Sequence, residues 1–463
     1  MSADRPALLG GTPVRTRPFA SRPYLDEREV EAVAQTVRDG LLSRFVGSPI
    51  PGAREQLGLP SADARTLTES HSFLGGPNVR RFEAAWAEAH RSPFAIAMNS
   101  ATSAETSALL AMGVTDGAEV ITSPLSFTAS ATAIVAANAV PVFVDIDAET
   151  MCLDPEAFEA AITPRTACVV PVHWCGNAGD FDRIMEIARR HGVPVLEDAA
   201  QAPGSPYQGR YLGTWGDAGT FSFSEPKPVT TGEGGMVITE SEAIAAKCRL
   251  IRNHGESVVG PDDPDEFVVN VVGQNFRMTE AAAALGWVQT AKLDEVLSIR
   301  NTNHHHLVRR LEEVAPRFLT PQRLTHPETF SAYTSAFRWS EPESGLSRDL
   351  VAAALRAEGI PVATGVYRLM SENEIFTRRI AYGWRHRPFS DSAVEYRRES
   401  LPVAHRVHDH EYLAFFLAGW PNTTSDMDDI AAAFERIVAH RDDLAARGTE
   451  LAGATSGFER GRG

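Results

Sequence analysis

Residues 194–240 read PVLEDAAQAPGSPYQGRYLGTWGDAGTFSFSEPKPVTTGEGGMVITE, and this stretch decides the fold. It contains three short apolar runs of strand length, at 194–200, 218–224 and 234–240. Four similar runs precede it: FAIAMNS (94–100), EVITS (119–123), PVFVDI (141–146) and ACVVPVH (167–173). Helical patterns lie between several of these runs, at 102–113, 127–138, 155–162 and 181–191. Strands alternating with helices predict an α/β fold with a buried, mostly parallel, seven-stranded sheet flanked by helices.

Composition along the chain predicts five segments. We expect an N-terminal arm and helix (1–44), an inserted surface segment rich in Gly, Pro, Ser and Ala (45–74), a large domain (75–297), a smaller α+β domain (298–447) and a disordered tail (448–463). The sequence at 278–297 is strongly helical. We expect it to be followed by a long helix near 298–314 that connects the large domain to the smaller one.

Charge and cysteine content exclude several functional classes. The 463 residues carry a formal net charge of -16, and such an acidic chain is a poor candidate for binding nucleic acid or an anionic membrane. The four cysteines, at 152, 168, 175 and 248, have no metal-ligand spacing, so no metal is expected. The sequence shows neither a secretory signal nor an apolar run of about 18 residues, which indicates a cytoplasmic protein with reduced thiols.

Lys227 and Asp198 each follow an apolar run of the predicted sheet. Apolar surroundings at a strand end lower the pKa of an amine and make it nucleophilic, although a lone lysine is also commonly a surface residue. Ligands bind at the C-terminal ends of strands in open α/β sheets, where the Asp198 carboxylate would keep a pyridine ring protonated. The alternative is that Asp198 caps a helix starting at Ala199.

Three further motifs carry polar or aromatic side chains next to predicted strands or helices. Ser100, Ala101 and Thr102 stand at the start of a helix, where free N–H groups bind phosphate or where a hydroxyl group simply caps the helix. Phe127 would stack on a planar cofactor or belong to the core. Asn275 and Arg277 are polar residues just before another helix, and on their spacing alone they would simply cap it. In chain order, the turn at 100–102 would anchor a phosphate and Phe127 would stack on a ring. Asp198 would make that ring an electron sink, and Lys227 would supply the amine for a Schiff base.

The sequence resembles the DegT/StrS-type sugar and aminocyclitol aminotransferases, a family of fold-type-I enzymes that depend on pyridoxal 5'-phosphate. The resemblance covers about residues 75–437 and rests on specific motifs. These are GGP-x-V-x-x-x-E at 75–83, the turn Ser100-Ala101-Thr102 in place of SGT, EDAAQ at 197–201, GD at 216–217, FSF at 221–223, Lys227, GEGG at 232–235, NHG at 253–255 and G-x-N-x-R-M at 273–278. Ala101 replaces the usual glycine of the turn, which is acceptable if its φ is negative.

The resemblance implies a role for each matching residue. Lys227 would bind the cofactor as a Schiff base and move the proton, and Asp198 would pair with the pyridine nitrogen. The remaining cofactor contacts implied are Ser100, Ala101, Thr102, Phe127, Gln201, Ser222 and, toward the phosphate of a neighbouring subunit, Asn275. His254 and Arg277 would lie near the substrate. The active site would therefore be shared within a homodimer.

The implied reaction moves an amino group from glutamate or glutamine to a keto group of a sugar, with a nucleotide-linked sugar favoured over a keto-inositol, in natural-product or polysaccharide biosynthesis. Some members of the family have histidine in place of the Schiff-base lysine and act as dehydratases. Lysine stands at position 227 here, so the resemblance favours transamination. A non-catalytic regulator that binds pyridoxal phosphate stays open as an alternative. A nicotinamide oxidoreductase is disfavoured because no GxGxxG follows the first predicted strand.

Overall fold

The structure is a computed structural model of the single chain. It describes residues 5–20, 22–44, 74–257, 268–269, 272–365, 367–382 and 386–447. The predicted inserted segment, except for its last residue, and the predicted tail lie outside the described residues.

A central sheet is built from the seven predicted strands. They are β1 Phe94–Met98, β2 Glu119–Thr122, β3 Val140–Phe143, β4 Thr166–Val170, β5 Leu196–Asp198, β6 Ala218–Ser222 and β7 Gly235–Thr239. Their order is β1-β7-β6-β5-β4-β2-β3, with bridges Val169–Val195 and Val172–Asp198 joining β4 to β5. Only β7 runs antiparallel to its neighbours, because the chain between β6 and β7 contains no crossover helix. The mostly parallel seven-stranded sheet is confirmed.

The helices around this sheet begin and end at local signals in the sequence. They are α1 Glu27–Arg38, α2 Pro77–His90, α3 Ala101–Ala111, α4 Ala129–Ala136, α5 Pro155–Ala160, α6 Phe181–His191, α7 Glu242–Arg252, α8 Glu280–Ala291 and α9 Leu293–Val314. Asp154 caps α5 by accepting a 2.7 Å hydrogen bond from the Ala157 N–H. Gly192 ends α6 with a φ of 66°, a left-handed conformation that glycine adopts without a steric penalty.

The long helix differs from its prediction. It starts at Leu293 rather than near 298, so it crosses the expected boundary between the two domains. The break from α8 falls at Lys292, whose buried amine lies 2.9 Å from an Asp26 carboxylate oxygen and 2.7 Å from one of Glu29. These ion pairs connect Lys292 to the start of α1 at the point where α8 and α9 separate. A contact between segments about 265 residues apart leaves no periodic signal in the local sequence.

A second, antiparallel sheet follows α9. Its strands are β8 Leu319–Pro321, β9 Ser335–Trp339 and β10 Tyr412–Phe415, with β9 in the centre. The helices of this part are α10 Glu341–Ser344, α11 Arg348–Ala357, α12 Glu374–Thr377, α13 Pro402–Arg406, α14 Thr424–Ala439 and α15 Arg441–Ala446. The sheet shares one apolar core with α9, α11 and α14, formed by side chains such as Leu307, Leu350, Phe415 and Phe434. In the described ranges, no helix is both long and apolar enough to cross a membrane.

Candidate active site

One cavity of about 320 Å³ collects most of the predicted site residues. It lies where β1, β5 and β6 end and where α3 and α4 begin. Its lining includes Ser100, Ala101, Thr102, Phe127, Asp198, Gln201, Ser222 and Lys227. Its volume is that of a small-molecule site, which typically occupies about 300–1,000 Å³. The parallel strands bring these residues together because their carboxyl ends meet at one edge of the sheet.

Lys227 follows β6 in a turn, where its N–H donates to the Ser224 carbonyl oxygen at 2.9 Å. Its Nζ lies 4.2 Å from the centre of the Tyr333 ring. Desolvation lowers the pKa of Lys227 to about 8, while the neighbouring Asp198 and Cys175 act in the opposite direction. The residue as a whole keeps some exposure, so it is its terminal amine that lies in desolvating surroundings. This amine is a nucleophile at a pH where an ordinary lysine is protonated.

The other two lysines do not share these surroundings. Lys247 is exposed on α7, and Lys292 is ion-paired with Asp26 and Glu29. Because the whole sequence contains only these three lysines, Lys227 is the one amine that the fold directs into the cavity.

Asp198 is the last residue of β5 and is 5% exposed. The Ser130 hydroxyl group donates a 2.6 Å hydrogen bond to its Oδ2, and the Ala200 N–H donates one of 3.1 Å to its Oδ1. A turn rather than a helix follows Ala199, so the helix-capping alternative is wrong. Held from both sides, the carboxylate is fixed at the cavity wall.

The start of α3 forms one end of the cavity. Ser100 caps the helix, since its Oγ accepts a 3.1 Å hydrogen bond from the Ser103 N–H. The N–H groups of Ala101 and Thr102 have no hydrogen-bond acceptor within the described part of the chain. Ala101 opens the helix without a positive φ, so replacing the family's glycine causes no strain here. The Ser100 cap is therefore confirmed, while phosphate binding by the two free N–H groups stays a prediction that the cap does not oppose.

Phe127 and Gln201 form further parts of the wall. Phe127 is 51% exposed, so the alternative that it belongs to the core is wrong. Its ring meets Tyr367 edge to face, with centroids 4.9 Å apart. Gln201 is buried, and its Oε1 accepts a 2.8 Å hydrogen bond from the Cys175 N–H, which fixes the orientation of the amide.

Glu197, the first residue of EDAAQ, supports the cavity from outside it. It is fully buried, and it accepts hydrogen bonds from the N–H groups of Gly213 (2.7 Å), Trp215 (2.6 Å) and Gly216 (2.8 Å). His173 Nε2 lies 2.8 Å from the same carboxylate. Glu197 thereby fixes β5 to the loop that precedes β6. These two paired strands carry Asp198 and Ser222.

Asn275, Arg277 and His254 do not line this cavity. Asn275 and His254 are exposed, and Arg277 donates a 2.9 Å hydrogen bond to Asn253. The alternative that Asn275 and Arg277 cap α8 is wrong, because Thr279 caps it by accepting from the Ala282 N–H at 3.3 Å. The three residues thus lie outside the cavity lining of their own chain, at or next to the bridge that joins Asn253 and Asn275.

The sequence did not single out several of the lining residues. They are Glu105, Ser126, Ser130, Ser224, Tyr333 and Tyr367. Ser130 lies one helical turn from Ser126 in the motif that supplied Phe127, and this spacing was its only signal. Tyr333 and Tyr367 come from the segment after α9, and nothing local links them to a site more than 100 residues earlier.

Comparison with known proteins agrees with this geometry. The family model of the DegT/DnrJ/EryC1/StrS aminotransferases matches residues 60–413, and the chain belongs to this family. It is 34% identical to the L-glutamine:2-deoxy-scyllo-inosose aminotransferase of Streptomyces kanamyceticus, over 96% of this chain and 100% of that protein. It is 42% identical to the GDP-perosamine synthase of Caulobacter vibrioides, over 62% of this chain and 75% of that protein. The solved structure of DesI with its TDP-sugar product superposes with a TM-score of 0.75 at 26% identity, covering 96% and 98% of the two chains.

The chain is thus an aminotransferase, and its predicted cofactor, pyridoxal phosphate, is confirmed by the family. The residues present fit this cofactor. The cavity offers free N–H groups and a serine hydroxyl group at one end, a carboxylate held by Ser130 in its wall, and the desolvated amine of Lys227. The Oε1 atom of Glu105 is buried in the same wall without a hydrogen-bond partner in the described ranges, as expected of a pocket built around a polar ligand.

Proposed function

We propose that this protein transfers the amino group of L-glutamine to the keto group of a cyclitol of the 2-deoxy-scyllo-inosose type. The observation that carries this proposal is a match along essentially the whole chain to several relatives with that named activity. Those from Streptomyces kanamyceticus, Streptoalloteichus tenebrarius and Streptomyces lividus are 34–36% identical over 95–96% of this chain. We therefore rank the keto-inositol acceptor above the nucleotide-linked sugar, which the family resemblance by itself had favoured.

Each wall of the cavity has a separate task in this reaction. Pyridoxal phosphate, when bound, supplies an aldehyde and an electron-withdrawing ring. The N–H groups of Ala101 and Thr102 and the Ser222 hydroxyl group hold the phosphate, with the positive end of the α3 dipole directed at it. Asp198 would keep the ring nitrogen protonated, Phe127 would cover the ring face, and the amide of Gln201 would contact the ring or its 3-hydroxyl group. Ser100 orients the start of α3.

Lys227 anchors the cofactor and then carries the proton. With a pKa lowered to about 8 by desolvation, its amine exchanges a proton readily near neutral pH, which suits a group that acts as base and then as acid. The Tyr333 ring, 4.2 Å from Nζ, restricts where this amine moves. Proton transfer therefore stays on the face of the cavity that the lysine occupies.

A second copy of the chain completes the site in this proposal. Asn275 is exposed and does not line the cavity of its own chain, which suits a residue that reaches the phosphate bound by a neighbouring subunit. His254 and Arg277 lie beside it and would approach the substrate from the same direction. The functional unit is then a homodimer with two shared active sites.

A nucleotide-linked keto-sugar is the second candidate acceptor. It is supported by the 42% identity to the GDP-perosamine synthase over 62% of this chain and by the likeness to DesI with its TDP-sugar product. We rank this acceptor second because the matches to the inosose aminotransferases cover 95–96% of this chain.

The test is a two-stage assay with the purified, cofactor-loaded protein. L-Glutamine alone should convert the bound cofactor to its amine form, seen as a change in the cofactor absorbance. L-Glutamate is tested in parallel, and no change with either amino acid would identify a non-catalytic binding protein. Adding 2-deoxy-scyllo-inosose should then regenerate the original spectrum and yield an amino-cyclitol by mass spectrometry. A TDP- or GDP-linked 4-keto-6-deoxy sugar is offered in parallel. Faster turnover with the nucleotide sugar would reject the cyclitol proposal.

A further inference from the structure

Glu105 is a carboxyl group inside the cofactor cavity that the reaction outlined above leaves without a task. It lies on α3, one helical turn after Ala101, and is 3% exposed. It lines the same cavity as Asp198 and Lys227. Its Oε1 is buried and has no hydrogen-bond partner in the part of the chain that the structure describes. The side chains next to it in α3 are small, so the carboxyl group is the feature that this turn of the helix presents to the cavity.

The surroundings favour the neutral form of this carboxyl group. Burial raises the pKa of Glu105 well above its ordinary value, and the nearby negative charge of Asp198 raises it further. The buried Cys168 thiol, whose own pKa burial also raises, is a further titratable group whose pKa Glu105 influences. Lys227 and Glu233 are the other titratable groups on the cavity wall near the β6–β7 turn. A protonated carboxyl group is a hydrogen-bond donor, whereas a carboxylate only accepts.

Asp198 has room for such a donor. Ser130 occupies one acceptor position on its Oδ2 and the Ala200 N–H occupies one on its Oδ1, while a carboxylate offers about four. A buried group without a partner lowers the stability of the fold, so its retention inside a binding cavity indicates a task performed when the cavity is filled.

We propose that Glu105 is a positioning residue of the cofactor site, which as a neutral carboxylic acid donates a hydrogen bond to the Asp198 carboxylate when the cofactor is bound. This bond holds the carboxylate against the ring nitrogen of the cofactor and adds a third donor to the two supplied by Ser130 and Ala200. The inference rests on the proposed role of Asp198, and it is independent of which keto compound is the acceptor.

The test compares Glu105→Gln with Glu105→Leu in the full-length protein. Cofactor-free samples are titrated with pyridoxal phosphate to obtain Kd, and their unfolding temperatures are measured before cofactor is added. Glutamine still donates a hydrogen bond and cannot ionise, so Glu105→Gln should bind the cofactor within about threefold of the parent protein. Leucine cannot donate, so Glu105→Leu should weaken binding by about tenfold, which corresponds to about 1.4 kcal/mol.

The stability of the cofactor-free protein separates positioning from a structural role. Removing an unpartnered buried carboxyl group should raise the unfolding temperature of Glu105→Leu while its cofactor binding weakens. Glu119→Leu is the matched control. This buried carboxylate accepts a 2.6 Å hydrogen bond from Thr163 away from the cavity, so its loss should lower the unfolding temperature and leave Kd unchanged.

Three results would overturn the proposal: parental Kd in Glu105→Leu, a Glu105→Gln Kd as weak as that of Glu105→Leu, or a lowered unfolding temperature in cofactor-free Glu105→Leu. The second would mean that the site needs a charged carboxylate. If Glu105→Leu does not fold, Glu105→Met is measured against the same three criteria. Because every readout is cofactor binding or stability, a wrong assignment of the acceptor would leave the result unaffected.

Discussion

The Oγ of Ser130 lies 2.6 Å from Oδ2 of Asp198, and the two residues are 68 positions apart in the chain. Ser130 receives a further contact from Ser126, whose Oγ lies 2.8 Å away, so Ser126 just before α4 and Ser130 in its first turn form a short hydroxyl chain that ends on the carboxylate. This relationship fixes the orientation of the group proposed to keep the cofactor ring protonated, and it leads to the first prediction.

Ser130→Ala should weaken cofactor binding by roughly fivefold, because a hydrogen bond to a fixed carboxylate contributes about 1 kcal/mol. The measurement is a titration of cofactor-free protein with pyridoxal phosphate. Thr132→Ala is the matched control, since this hydroxyl group lies on the same helix and bonds only to backbone oxygens of Thr128 and Ala129. Equal Kd values for the two variants would show that Ser130 does not position Asp198.

Glu197→Gln should lower the free energy of unfolding by about 2–4 kcal/mol, because an amide cannot accept all the hydrogen bonds that converge on this buried carboxylate. Urea denaturation of the cofactor-free protein measures the change. Glu186→Gln, a substitution on the exposed face of α6, should change the same quantity by less than about 0.5 kcal/mol. A Glu197→Gln protein as stable as the parent would contradict the structural role given to Glu197.

The rate at which cofactor-free protein bonds covalently to the cofactor aldehyde should rise with pH and level off above about pH 8. Only the neutral amine reacts, and desolvation lowers the pKa of Lys227 from 10.5 to about 8. Between these two pH values the unfolded chain binds more protons than the folded one, so the stability of the cofactor-free protein should also rise with pH across that window. Stopped-flow absorbance measures the rate, and a rate that keeps rising toward pH 10.5 would mean an unperturbed amine.

Borohydride reduction of the loaded protein should attach the cofactor to Lys227 alone, as shown by mass spectrometry of peptides. Lys227→Ala should abolish the adduct. Lys247→Ala, which removes the exposed lysine, should retain it in full. An adduct on Lys247 or Lys292 in the parent protein would remove the basis of the proposed chemistry.

Asn275 provides a test of the shared active site. Lys227→Ala and Asn275→Ala proteins should each have little activity alone. Mixing them under conditions that exchange subunits should restore activity, because a mixed dimer contains one site without either substitution. Sedimentation analysis of the parent protein verifies the dimer, and no recovery in verified mixed dimers would place Asn275 outside the neighbouring site.

The sequence by itself determined the sheet, the principal helices and two of the chemical groups. Strand and helix periodicity, Asp154 at a helix start and Gly192 at a helix end are local signals, and each is realised within a few residues of its prediction. Lys227 and Asp198 were identifiable for the same reason, since the carboxyl ends of parallel strands meet at one edge of the sheet whatever the rest of the chain does.

Tertiary structure decided what surrounds those groups. The contacts of Asp198 with Ser130, of Lys227 with Tyr333, and of Lys292 with α1 join residues from about 70 to 270 positions apart. In the sequence, Glu105 is one polar residue of a predicted helix. Only the folded structure buries it near Asp198, which raises its pKa. Proximity and desolvation arise only when distant segments exclude water together, so no local pattern of residues encodes them.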